Sequence, residues 1–310
     1  MLTKNETFMA KELAPEFSES TKIDSRVRDY FILLKPRVMY LVVFTGLTGQ
    51  LLAPGHIHPL IAFVAILCIA VGSGAAGAIN MWYERDIDLL MSRTKFRPIP
   101  SGRILPHDGL HFGIFLATTS VILMGLVVNL KSALMLLSTI IFYIIIYTVW
   151  LKPRTPQNIV IGGAAGSFPP IIGWLSVTNH ISIEPIVLFL IIFMWTPPHF
   201  WALALNKSED YAKASIPMLP NVKGTKNTKI QIFIYSIILV FTSFLPYIVK
   251  LSGVIYLGAA IILGALFIIE SYLLLRDETN KRSMRLFSYS IFYLFLLFAF
   301  LIFDNLFRSL

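Results

Sequence analysis

Residues 59–88 read PLIAFVAILCIAVGSGAAGAINMWYERDID, an apolar run from Pro59 to Tyr83 that closes on three evenly spaced polar groups, Asn80, Glu84 and Asp88. A hydrocarbon core takes about 20 residues of helix to cross, and this run is long enough. Similar runs lie near Val38–Ala53, Leu110–Val128, Ser132–Trp150, Asn158–Val177, Ile183–Leu205, Ile230–Val249, Gly253–Leu275 and Leu286–Leu306. Long unbroken runs indicate helices and not a barrel, because a helix satisfies each backbone group within its own segment. The expected fold is therefore all-α, a polytopic membrane protein with about nine transmembrane helices. Composition agrees: of 310 residues 56% are apolar and 14% charged, with a mean hydropathy of +0.74. A soluble domain needs more polar surface than that to cover itself. The single cysteine, Cys68, lies inside an apolar run and can form no internal disulfide.

The stretch up to about Arg28 is polar and carries acids (Glu6, Glu12, Glu16, Glu19 and Asp24 among them), which argues against a mitochondrial transit peptide. It also lacks the early apolar core of a secretory signal. We read residues 1–34 as a mobile polar tail leading into an interfacial helix around Arg26–Leu34, and residues 35–310 as one transmembrane domain. Lys35-Pro36 ends the interfacial helix, since the residue before a proline is pushed out of the helical region. Sorted by connection, 23 of the 26 Lys and Arg fall on the tail side, and only Lys131, Lys250 and Arg308 on the other. The positive-inside rule then makes the tail cytoplasmic and the C-terminus external. The net charge of +9 is thus a record of topology and gives no reason to expect a nucleic-acid partner. Tail-side connections are long and polar, whereas the opposite ones are tight turns such as Pro54-Gly-His-Ile-His58. The elaborated face is the cytoplasmic one.

Two of those long connections carry the chemistry. Asn80, Glu84 and Asp88 recur every four residues and so share one helical face. Four helices later, Asn206-Lys-Ser-Glu-Asp210 again sets an Asn and an acid one turn apart. Each cluster precedes a proline-punctuated basic stretch, Arg97-Pro-Ile-Pro-Ser-Gly-Arg103 in the first case and Ile216-Pro-Met-Leu-Pro-Asn-Val-Lys223 in the second. Carboxylates at a membrane boundary are costly unless something positive is bound there. Hard oxygen ligands with open positions suit Mg²⁺, which shares its shell with water and phosphate oxygens. The bland reading makes these acids loop charges paired with neighbouring arginines. Two matches at equivalent depth on the basic side favour a cage for a diphosphate and its magnesium ions.

The two clusters resemble the paired Asp-rich motifs of the intramembrane aromatic prenyltransferase superfamily. Glu84 stands for the usual Asp, Asn206 opens the second motif, and Ala214 occupies the place of a third acid. Those departures resemble the haem branch, the protohaem farnesyltransferases. So do the words Arg97-Pro-Ile-Pro-Ser-Gly, Trp150-Leu-Lys-Pro-Arg-Thr-Pro-Gln-Asn158, Trp195-Thr-Pro-Pro-His-Phe-Trp-Ala-Leu-Ala204 and Ile216-Pro-Met-Leu-Pro220, in a match running from about Lys35 to the C-terminus. The resemblance implies transfer of the farnesyl group of farnesyl diphosphate to a vinyl group of haem B, with Mg²⁺ as cofactor. Asn80, Glu84, Asp88, Asn206 and Asp210 would hold the metal ions. Arg97, Lys152 and Arg154 would neutralise the leaving diphosphate. It further implies a bacterial inner membrane setting and, as partners beyond the substrates and the bilayer, a haem A synthase or the oxidase assembly machinery. For Lys152 and Arg154 a purely topological role competes evenly, since cytoplasmic loops carry cations anyway.

His199 is the expected haem contact. It lies about two turns before Asn206, with Trp195 at i−4 and Phe200 and Trp201 beside it, and imidazole is the commonest neutral ligand of haem iron. Pro197-Pro198 can distort the helix so that an inward group meets a wide ligand. The competing reading is a buried histidine satisfied by a neighbouring carbonyl. Small-residue runs at 72–78 and 162–167 indicate close helix packing, with room for a porphyrin or an isoprenoid tail as the alternative. Two other functions remain open. Prenylation of a quinone-ring precursor would use the same cation chemistry, but without the Pro-Pro-His-Phe-Trp word. A transporter would place its acids near the midplane in broken inverted segments, which this chain lacks.

Overall fold

The computed structural model describes residues 27–309. The polar tail expected before Val27 lies outside them. Among the described residues, eight helices are long and apolar enough to cross a membrane: Pro59–Tyr83, Pro106–Val128, Leu130–Leu151, Asn158–Thr178, Ile183–Asn206, Leu219–Ile248, Val254–Arg276 and Arg282–Arg308. Val27–Leu33 and Pro36–Leu52 pass the same test together, bent by 57°, as a ninth and broken span. The spans are numbered below in chain order, the broken one first.

Among the unbroken spans, three start at least a full turn before their apolar runs: the third at Pro106, the seventh at Leu219 and the ninth at Arg282. Hydrophobic periodicity reports only the part of a helix that lipid or core surrounds, so polar turns beyond it are invisible. In the seventh span those turns are interrupted at Gly224, whose φ of 79° and ψ of 163° are not helical. The break at Lys35-Pro36 falls where proline put it. Its form is unexpected, however: Lys35 is left-handed (φ 53°, ψ 58°), a region a non-glycine residue adopts only when its surroundings hold it there.

Two spans contain π-helix, Met124–Val128 at the end of the third and Phe142–Leu151 through the second half of the fourth. The longer stretch pairs Lys152 N–H with the Tyr147 carbonyl, five residues back, at 2.9 Å. Such wide turns are rare and usually short, and they re-aim side chains relative to an α-helix. Here they direct Thr148 and Lys152 toward the second span.

Large apolar side chains such as Phe115, Ile122, Leu126, Ile262 and Phe292 face outward, as lipid-facing residues must. Two large apolar clusters fill most of the interior, and a third, smaller one gathers Leu33, Met81 and Ile104. Of the two, one joins the second, third and fourth spans around Ile69, Met124 and Leu136. The larger joins the fifth to ninth spans around Trp201, Tyr256, Phe267, Tyr293 and Phe298. The first and fifth spans touch backbone to backbone: a Cβ on Gly173 would lie 2.0 Å from the Gly46 carbonyl oxygen, and one on Gly49 would lie 2.1 Å from that of Pro170. Lipid tails are as apolar as leucine, so such close approach is a main source of helix association.

Gly173→Ala should therefore force those two backbones apart and lower stability by about 2 kcal/mol, as overpacking does. Gly166→Ala, whose Cβ would meet nothing within 4 Å, should be near neutral. Unfolding of the detergent-solubilised protein measures both, and equal effects would show that backbone contact at Gly173 does not limit the fold.

Candidate active site

The first acidic motif keeps its face across a bend. The second span ends at Tyr83 and Glu84 leaves helical geometry (φ −90°, ψ 7°), yet Glu84 N–H donates to the Asn80 carbonyl at 2.9 Å and Asp88 N–H to the Glu84 carbonyl at 2.8 Å. Asn80, Glu84 and Asp88 are all buried, at 2%, 4% and 3% exposure, and a carboxylate so placed must have partners. Lys152 Nζ lies 2.5 Å from Glu84 Oε1, and Arg97 Nη1 lies 2.7 Å from Asp88 Oδ2. Lys35 Nζ donates to Asn80 Oδ1 at 2.5 Å, and Asn80 Nδ2 donates to Thr148 Oγ1 at 3.0 Å. Burial alone would push the Glu84 carboxyl up. The charges of Lys152 and Lys35 outweigh it and hold Glu84 below its ordinary value.

The second motif meets the first through Ser92, whose hydroxyl donates to Asp210 Oδ2 at 2.6 Å across 118 residues of sequence. That bond, ahead of the nearby Lys207 and Lys213, holds the Asp210 carboxyl below the usual carboxylate range. The two tail-side connections therefore touch, and through that bond their polar groups form one cluster. Its members are not equivalent: Asn80 is buried, whereas Asn206 is exposed at the end of the sixth span. Arg154 is also exposed. Its guanidinium donates to the carbonyls of Val149 and Trp150 at 2.9 and 3.1 Å, so it caps the fourth span and has no contact with the acids.

Beneath the cluster lies a cavity of about 110 Å³, lined mostly by apolar atoms from the first, second, fourth and fifth spans. Lys35 and Tyr143 stand in its wall together with Val42, Ala76, Leu136 and Gly166. The rings of Tyr143 and Tyr147 lie 5.4 Å apart. The small-residue runs divide between packing and the cavity wall. A Cβ on Gly162 would lie 2.2 Å from the Tyr147 ring and one on Gly163 2.8 Å from Thr196, so these positions are packing contacts. Ala76, Gly77, Ala165 and Gly166 line the cavity instead.

His199 sits elsewhere, between the sixth and ninth spans. Its ring stacks on Trp195 at 4.1 Å and on Phe287 at 4.5 Å, with Phe200 edge-on at 5.0 Å. Nδ1 lies 2.6 Å from Ser290 Oγ, and Ser290 gives its own hydrogen to the Phe287 carbonyl at 2.7 Å. Nδ1 therefore donates, and Nε2 is left as the ring's acceptor. Trp195 is fixed by the same segment, its Nε1 donating to the Ser290 carbonyl at 2.7 Å.

Lys35, Ser92 and Thr148 join the cluster without having been singled out in the sequence. Lys35 carried a signal, a lysine directly before the proline that breaks the first span. Ser92 and Thr148 carried none, because one depends on a long-range contact and the other on the wide turn of the fourth span. Among the described residues no three His, Cys, Asp or Glu side chains gather as a metal-binding set. The oxygen donors come as pairs and singles, which suits Mg²⁺: it is held by one or two carboxylates together with substrate phosphates, not by an all-protein cage.

The UbiA prenyltransferase family model matches residues 42–299. Protoheme IX farnesyltransferase of Parvibaculum lavamentivorans is 56% identical over 90% of this chain and 89% of its own length. That of Sinorhizobium fredii is 52% identical over 98% of this chain and 95% of its own. Among solved structures, a digeranylgeranylglyceryl phosphate synthase superposes with a TM-score of 0.74 at 20% identity, covering 89% of this chain and 97% of that one. A UbiA homologue from Archaeoglobus fulgidus, bound to DMAPP and Mg²⁺, superposes at 0.61 and 17% identity, covering 88% and 99%. At those identities the two structures speak for the fold alone.

Lys152→Met should leave Glu84 buried without its ion-pair partner and destabilise the protein by about 3 kcal/mol. Adding Glu84→Gln should recover most of that loss, which unfolding of the two variants in detergent would measure. A single variant as stable as the parent would mean that solvent, and not Lys152, satisfies Glu84.

Proposed function

We propose that this chain, which belongs to the UbiA prenyltransferase family, transfers the farnesyl group of farnesyl diphosphate to a vinyl group of haem B, releasing diphosphate and giving haem O. One observation carries the reading: buried carboxylates and cations at the end of the second span lie over an apolar cavity between the first, second, fourth and fifth spans. A ligand with a charged head and an apolar tail fits that arrangement. The relatives named protoheme IX farnesyltransferase favour haem over a quinone-ring precursor as acceptor. The family is one of prenyltransferases, and the acids lie at helix ends, both of which argue against a transporter.

In this reading Asn80, Glu84, Asp88, Asn206 and Asp210 would hold Mg²⁺, which when bound places positive charge on the diphosphate. Lys152, Arg97 and Lys35 turn toward the leaving group and neutralise the charge that builds on it as the C–O bond to the farnesyl group breaks. Arg154 would join them only by giving up its carbonyl caps. Tyr143 and Tyr147 present aromatic faces to the allylic cation at the top of the cavity. The vinyl π electrons form the new C–C bond, and the cation left beside the porphyrin is captured by water, which loses a proton to solvent. No strong base is required. His199, with Nδ1 tied to Ser290, offers Nε2 to the haem, and Trp195 supports it.

The charge sorting supports a cytoplasmic active site in a bacterial inner membrane, with residues 35–310 as the catalytic domain. A reporter active only in the cytoplasm should be silent when fused at Leu310. The product is apolar, so its acceptor, a haem A synthase or the oxidase assembly machinery, would take it from within the bilayer and should co-isolate with this chain.

Incubation of membranes with hemin and farnesyl diphosphate, followed by mass analysis of extracted haems, should give the hydroxyethylfarnesyl product. Asp88→Asn or Asp210→Asn should lower turnover by at least a hundredfold while hemin still binds. Near-normal turnover in either variant at limiting magnesium would remove that residue from the metal site. In the same assay His199→Ala should weaken hemin binding or shift its spectrum and spare farnesyl diphosphate binding. An unchanged spectrum, hemin affinity and turnover would leave His199 as a packing residue.

A further inference from the structure

The end of the bundle opposite the acids holds a second pocket, of about 360 Å³. Five segments converge on it: the end of the first span (Leu52 and Pro54), the fifth (Trp174), the start of the sixth (Glu184), the connection at Val249–Leu251 and the end of the ninth (Asn305 and Arg308). It contains both signs of charge, none of them committed to another. Among the described residues the Glu184 side chain has no hydrogen bond or ion pair, and its Oε2 is shut off from solvent. Trp174 is 3% exposed, and its Nε1 is likewise buried without an acceptor. Lys250 stands in the pocket lining with a left-handed backbone (φ 61°), and its ammonium has no partner among the described residues. Arg308 spends one nitrogen on the Lys250 carbonyl, at 3.3 Å. The acid beside it, Asp304, cannot serve either cation. It is buried and taken by the backbone N–H groups of Gly253 and Tyr256 at the start of the eighth span.

A buried carboxylate oxygen without a donor is costly, and so is an indole N–H without an acceptor. Two cations at the rim call for an anion, and Glu184 calls for a cation that can donate hydrogen bonds. We propose that this pocket binds the headgroup of a phospholipid carrying a primary ammonium, as phosphatidylethanolamine does. The phosphate lies against Lys250 and Arg308, and the ammonium donates to Glu184. The setting agrees, because the pocket lies at the level of the helix ends. Apolar residues that face outward flank it, Leu51, Tyr247, Ile248 and Val254, where acyl chains would run. An anion alone would leave Glu184 without a donor. A quaternary ammonium would bring charge to it but no hydrogen to donate.

The test compares phospholipids whose headgroups have or lack a donating ammonium. The full chain, purified and delipidated in detergent, is given equal amounts of phosphatidylethanolamine, phosphatidylcholine and phosphatidylglycerol, and the retained lipid is counted by native mass spectrometry. Free phosphoethanolamine and inorganic phosphate are added as competitors, to separate a lipid site from a site for a soluble phosphate. One phosphatidylethanolamine should be retained about tenfold over phosphatidylcholine. Glu184→Gln should abolish that preference, and Lys250→Gln should weaken retention of every phospholipid. Both variants should keep farnesyl transfer at the parent's rate, which certifies their folding. Equal retention of the three lipids, a preference for phosphatidylglycerol, displacement by inorganic phosphate alone, or a preference that survives Glu184→Gln would each overturn the proposal.

Discussion

Three carboxylates buried at the ends of membrane helices need cations or hydrogen-bond donors brought to them, and this requirement organises the structure. Glu84 takes Lys152 at 2.5 Å, Asp88 takes Arg97 at 2.7 Å, and Asp210 takes the Ser92 hydroxyl at 2.6 Å. Lys35 completes the set on Asn80. Counting the formal charges of Lys35, Arg97 and Lys152 against Glu84, Asp88 and Asp210, the cluster is close to neutral. It can therefore be buried without the large penalty that an isolated charge would carry. The pairs are arranged for exchange: an arriving diphosphate competes for the cations, and a metal ion competes for the acids.

Three irregular pieces of backbone can be traced to that cluster. Lys35 adopts a left-handed conformation between two helical segments, and its ammonium reaches the second span from there. The π-helical half of the fourth span brings Thr148 to Asn80 and Lys152 to Glu84. Glu84 itself sits at the bend that ends the second span. Irregular backbone at membrane depth is tolerated where protein buries it, and strained or widened helix turns gather at working sites for the same reason. The regular spans around them are held by glycine contacts such as Gly173 on Gly46, which leave little freedom for the cluster to spread.

Reading the sequence recovers the spans because lipid imposes a one-dimensional rule, a minimum apolar length. It also recovers the acid clusters, because a four-residue spacing is local to one helix. It misses the polar turns at Pro106, Leu219 and Arg282, where periodicity fades although the helix continues. The partners escaped for a different reason. Ser92 meets Asp210 across 118 residues, and nothing near either residue announces the other. Arg154 illustrates the converse: a cation two residues from Lys152, in the same connection, turns back onto its own helix end and leaves Lys152 to the acid. A π turn changes which side chains share a face, and no residue pattern known to us marks it in advance.

The two ends of the bundle obey one rule with opposite results. At the site, every buried acid has a donor within 2.7 Å, and the helices close tightly around it. At the far end, Asp304 is equally buried and equally satisfied, by the N–H groups that open the eighth span. A helix N-terminus is where a carboxylate can be held without a side-chain cation. Glu184 also lies in the first turn of a helix, yet no N–H is bonded to it, and the space beside it stays open. Glu184 is half-buried where the others are fully so, yet its enclosed Oε2 needs a donor no less than theirs. What separates them is whether the chain supplies the donor itself or leaves it to come from outside.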